Sequence, residues 1–126
     1  MLMHESLAST SEGTNRIHLS GLLSEWLFSS KFWSNFNAKH GTMFDQFEED
    51  EADIKTVKAI VNAIHEVIDN LDKSEEHNIE FTYRWTVEHK PLKASIQKES
   101  LMSELAIFYD FLVDAVTKKQ CIIFSL

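Results

Sequence analysis

Residues 79–88 read Ile-Glu-Phe-Thr-Tyr-Arg-Trp-Thr-Val-Glu. Ile79, Phe81, Tyr83, Trp85 and Val87 alternate without a break with Glu80, Thr82, Arg84, Thr86 and Glu88. That period belongs to a strand with one face in a core and the other in water. Its aromatic and β-branched residues suit a pleated surface. His89-Lys90-Pro91 supplies a turn, and Leu92, Ala94 and Ile96 then alternate with Lys93, Ser95 and Gln97, so the segment predicts an antiparallel hairpin. On its polar face Glu80 and Glu88 are expected to pair with Lys93 and other polar groups, contacts worth roughly 0.2–1 kcal/mol each.

On both sides of the hairpin the period changes to that of a helix. Upstream, Ile54, Val57, Val61, Ile64, Ile68 and Leu71 recur at spacings of 3, 4, 3, 4 and 3. This places one apolar stripe on a helix from about Ala52 to Leu71. Ile60 and Val67 widen the stripe into a packing face. Directly before it, Asp45, Glu48, Glu49, Asp50, Glu51 and Asp53 put six carboxylates into nine positions. Asp50 or Asp53 can cap the helix, and the remaining acids sit where its dipole favours negative charge. Helix initiation needs fewer acids than this.

Downstream, Leu101, Leu105, Phe108, Leu112 and Val116 mark a last helix starting near Ser100, with Lys118 and Lys119 suiting its C-terminal dipole. Cys121 to Leu126 follows as a short strand whose continuous apolar run suggests burial on both faces. At the other end, Leu19, Leu22, Leu23, Trp26, Leu27 and Trp33 fall mostly at helical spacing between Ile17 and Phe36, with a break near Ser29. The rings of Phe28, Phe32, Trp33 and Phe36 are expected to fill the core. Asn37 to Gly41 reads as a turn, with Gly41 able to take positive φ. The predicted order is α-α-β-β-α-β. It forms one α+β domain over 16–126, with a small, mainly antiparallel sheet and helices on one face. Residues 1–15, which include Ser9-Thr10-Ser11-Glu12-Gly13, offer little to bury and are expected to form a flexible tail.

Composition narrows the function. With 126 residues, 44% of them apolar, the chain can bury a core without staples. Cys121 is the single cysteine and has no intramolecular disulfide partner. No apolar run is long enough for a membrane helix, and Met1-Leu2-Met3 leads into His4 and Glu5 without the pattern of a secretory signal, so a cytoplasmic location is expected. A net charge of -8 repels a phosphate backbone, which disfavours nucleic acid as a direct ligand. Such charge serves solubility, or it attracts a basic protein. Its concentration between positions 45 and 53 favours the second.

Catalytic patterns are sparse. The glycines at 13, 21 and 41 are too scattered for a phosphate loop. His65-Glu66 is half of a zinc-protease motif, but position 69 holds Asp69 rather than a second histidine. The acids of Glu48–Glu51 lack calcium-loop spacing. No cofactor, metal or catalytic residue is assigned, and the chain is not expected to be an enzyme.

Leu27-Phe28-Ser29-Ser30-Lys31-Phe32-Trp33, the acidic approach to a long helix, the strand Phe81-Thr82-Tyr83-Arg84-Trp85 and the closing helix and strand from Leu105 to Phe124 form a recognisable layout. Over residues 22–126 the order of elements resembles that of small acidic immunity proteins of bacterial toxin systems, including those of contact-dependent growth inhibition. The resemblance implies a cytoplasmic inhibitor without activity of its own, which binds one cognate toxin and occludes its active site. An acidic inhibitor suits a basic nuclease toxin. On that reading Asp45, Glu48, Glu49, Asp50, Glu51 and Asp53 steer and form the rim, with Phe44 or Phe47 as buried anchors; alternatively these rings pin their loop to the core. The polar face carrying Glu80, Arg84 and Glu88 is a second contact surface. The competing class is a self-associating structural or regulatory protein, such as a secretion chaperone or a homodimer joined through an open sheet edge.

Overall fold

In the computed structural model, which describes residues 3–126, the chain runs β1 (Ser6–Thr10), β2 (Arg16–Leu19), α1 (Gly21–Ser29), α2 (Phe32–His40), β3 (Glu49–Ala52), α3 (Ile54–Lys73), β4 (Asn78–Trp85), β5 (Pro91–Gln97), α4 (Lys98–Thr117) and β6 (Ile122–Ser125). The class is α+β, as the residue pattern predicts, and every strand pair is antiparallel. Four strands form one sheet in the order β2-β1-β6-β3, while the hairpin β4-β5 stands as a separate two-stranded sheet. None of the described helices is long and apolar enough to cross a membrane.

Three strands were not expected, and each has a physical reason. The flexible tail predicted over 1–15 instead contains β1, which lies between β2 and β6 inside the sheet; residues 1 and 2 fall outside the described residues. Its two buried hydroxyls are satisfied internally, so a polar sequence can be buried: Ser6 Oγ bonds Ser24 Oγ, and Thr10 Oγ1 accepts from the backbone N–H groups of Thr14 and Asn15, both at 3.1 Å. The expected first helix begins only at Gly21, because Ser20 caps it by accepting from the Leu23 N–H at 3.2 Å, which leaves Arg16–Leu19 as β2. A Cβ at Gly21 would lie 2.7 Å from the Met3 Cβ, so the bare backbone lets residue 3 rest on the start of α1. The third addition is β3, formed by the acids themselves.

The break foreseen near Ser29 is present. α1 ends there, Lys31 takes a left-handed φ of 65°, and α2 continues to Gly41, whose φ of 68° closes it. Asp53, rather than Asp50, caps α3. The last strand is interior, but its burial is one-sided. Ile122 and Phe124 are buried, whereas Ile123 and Ser125 lie half-exposed on the other face. Phe124 is the centre of the core: Trp33 of α2, Phe44 and Phe108 of α4 surround it with ring centroids at 5.7, 5.6 and 6.4 Å. With Ala8, Leu19, Ala52 and Ile122, it forms the sheet face on which the helices pack.

Candidate functional site

Glu25 lies in the middle of α1 among Leu23, Trp26 and Leu27, and is buried with them. A carboxylate in that position needs a partner, because desolvating an unpaired charge is prohibitively costly. Arg84, one of two arginines in the chain, supplies it through a forked contact. Its Nη1 donates to Oε2 at 2.6 Å and its Nη2 to Oε1 at 2.8 Å. The His4 backbone N–H and Gln46 Nε2 each donate to Oε1 at 3.3 Å. The Glu25 side chain is 1% exposed and that of Arg84 29%.

Arg84 reaches Glu25 because the hairpin contains a bulge. Ile79 opposes Ile96 and Phe81 opposes Ala94, as strict alternation requires; the register then shifts between Thr82 and Arg84, so that Arg84 opposes Leu92 and Trp85 opposes Pro91. The extra residue exchanges the two faces beyond it. Arg84 thereby leaves the expected polar face and joins the side carrying Leu92, Ala94 and Ile96. Trp85 and Val87, expected in the core, are instead 65% and 99% exposed. Glu80 opposes Ser95 and Lys93 opposes Thr82, so the expected Glu80–Lys93 pair does not form. Glu88 lies beyond the strand in the turn, 3.6 Å from Lys90 Nζ. The surface predicted from Glu80, Arg84 and Glu88 is therefore not one face.

Above the Glu25–Arg84 pair sits Phe47. The Arg84 guanidinium lies 5.7 Å from its ring centroid, and the His4 ring packs on it at 4.6 Å while His4 Nε2 bonds the Leu126 carbonyl oxygen. Phe47 adopts a φ of 63°, costly for a bulky side chain, and remains 69% exposed. Met3, His4, Glu5, Phe47 and Arg84 line a shallow depression there. Phe44 behaves oppositely: it is buried against Trp33, Phe36 and Phe124 and pins its loop to the core.

Of the remaining predicted acids, Glu49, Asp50 and Glu51 form β3 at an edge of the sheet. Asp45 is exposed and accepts from the Gln46 N–H at 2.8 Å. Glu48, Glu49 and Glu51 are exposed, and among the described residues β3 has a strand neighbour on one side only, β6. Glu49 opposes Ser125 and Glu51 opposes Ile123 on the open face, whereas Asp50 opposes Phe124 on the inner face. Asp50 Oδ2 is buried there without a hydrogen-bond partner. Asp53 accepts from the Thr56 N–H at 2.8 Å, and that bond holds its carboxyl below the ordinary aspartate pKa. The opposite edge, β2, carries exposed Arg16 and His18 on the same open face, opposite Ser9 and Leu7.

Sequence reasoning missed Glu25, Gln46 and His4. Only Glu25 left a signal: an acid inside an apolar helical stripe requires a cation from elsewhere. A groove of about 370 Å³ between α2 and α3 presents Asn35, Lys39, His40 and Glu66 over an apolar floor. Among the described residues no group of three or more His, Cys, Asp or Glu is arranged to hold a metal ion. No protein-family model, curated protein or solved structure matches this chain.

Proposed function

We propose that the chain is an immunity-type inhibitor, which binds a basic protein, a nuclease toxin being the fitting class, and blocks its working surface without activity of its own. The observation that supports this most is the disposition of the acidic run. Glu48, Glu49 and Glu51 are exposed along a sheet edge, and the exposed ring of Phe47 stands at its start. Acids on a rim raise the rate of encounter with a positive partner, and an aromatic beside them offers apolar contact area. The Glu25–Arg84 pair supports the reading indirectly, because it fixes the base on which Phe47 rests.

Capture of a basic partner by the tagged chain, with salt titrated, tests the proposal. Binding should weaken as salt rises. Replacing Glu48, Glu49 and Glu51 with lysine should slow association by about tenfold or more while leaving the fold intact. Undiminished capture by that variant would overturn the assignment of this edge.

A further inference from the structure

We propose that the partner docks by strand addition. On this inference, which rests on the reading above, an extended basic segment pairs with the free edge of β3. It would place basic side chains at alternate positions opposite Glu49 and Glu51.

Three features support this mode over a purely electrostatic contact. First, β3 ends the sheet order β2-β1-β6-β3, so its second side carries backbone groups that no strand among the described residues uses. Peptide segments add to such edges through main-chain hydrogen bonds, with alternate side chains giving specificity. Second, the strand period brings two of the contiguous acids to one side. Glu49 and Glu51 share the open face, and a basic partner strand with its own period of two meets both. Third, the inner face lacks a donor: Asp50 Oδ2 is buried without a partner. A small hydroxyl residue between the two basic ones would stand beside it.

The same arrangement argues against a second copy pairing β3 to β3. Two such edges would bring Glu49 and Glu51 against their own equivalents, which like-charge repulsion disfavours. The other edge carries the exposed cation Arg16, of complementary charge, and is the rival occupant.

The test uses the full chain and an acetylated, amidated hexapeptide, Val-Lys-Thr-Lys-Val-Lys. Two controls accompany it: the same peptide methylated on every backbone nitrogen, and a peptide of equal composition with its three lysines contiguous. Binding is read by NMR titration together with amide hydrogen exchange. The alternating peptide should slow exchange within Glu49–Ala52 and bind about tenfold or more tightly than either control. Replacing Glu49 and Glu51 with lysine should abolish the difference. Equal binding of all three peptides would overturn strand addition yet leave the acidic-edge reading standing. Loss of that reading would show separately, as capture of a basic partner indifferent to charge reversal. Concentration-dependent assembly of the chain alone, abolished by the same lysine substitutions, would place β2 of a second copy on the edge and overturn the proposal.

Discussion

Two groups of charges in this molecule are held in opposite ways. At the Glu25–Arg84 pair the charges are enclosed, forked and supplied with further donors. Along β3, Glu49 and Glu51 stand in water with few fixed partners. The enclosed pair joins α1, β4, the segment at His4 and the loop at Gln46, so its role belongs to stability. The open acids contribute little to the fold, because exposed charges are strongly screened. What separates the two groups is delivery: a helix buries Glu25, a bulge brings Arg84 to it, and an edge position leaves Glu49 and Glu51 outside. The same residue chemistry thus forms a buried cross-link in one place and an exposed sheet edge in the other.

The contrast breaks if both regions respond alike to substitution. Arg84→Ala leaves the Glu25 carboxylate buried with only the weaker donors of His4 and Gln46. We expect a loss of about 3 kcal/mol or more in denaturant-measured stability. Glu25→Leu combined with Arg84→Met removes both charges and should recover part of that loss, since an apolar pair of similar volume avoids the orphaned ion. Lysine at Glu49 and Glu51 should change stability by no more than about 0.5 kcal/mol. A comparable loss at the two places would show that the acidic edge is structural after all.

A second test concerns the bulge that delivers Arg84. Strict alternation gives Phe81 and Trp85 equal standing, whereas the structure buries Phe81 and exposes Trp85. Phe81→Ala should therefore cost about 3 kcal/mol, and Trp85→Ala well under 1 kcal/mol. Thermal and denaturant unfolding of the two variants measure this directly. Equal losses would mean that Trp85 is packed and that the register does not shift.

These outcomes also mark how far the residues alone could be read. The long helix, the hairpin and the aromatic core around Trp33 were legible, because each follows from period or from bulk. β1 was not, since Ser6, Thr10 and their hydroxyl partners make a buried strand look like a tail. β3 was hidden because carboxylates favour neither strand nor core, and only the neighbouring strand β6 makes an edge available to them. The bulge is invisible in a perfectly alternating segment, since nothing local to 79–88 announces that Glu25, nearly sixty residues earlier, needs Arg84. Exposure of the acids could be read from composition; their arrangement along a sheet edge required the tertiary fold.

The smallest expected effect concerns Asp53, the acid of the run that caps α3. The Thr56 N–H donates to its ionised carboxyl and lowers its pKa, so ionisation and capping of α3 favour each other. A lowered folded-state pKa contributes stability that is fully present above the unfolded value. The contribution fades as pH falls through the lowered one. Asp53→Ala should therefore be less stable than the native chain near neutrality, with the gap narrowing in acid. Asp53→Asn, which keeps an oxygen acceptor but no charge, should flatten the pH dependence while retaining most of the cap. Denaturant unfolding of the three proteins across the acid range measures both. A gap for Asp53→Ala that stays constant with pH would show that Asp53 caps α3 by geometry alone, and its carboxylate would then add no charge-dependent support to the fold.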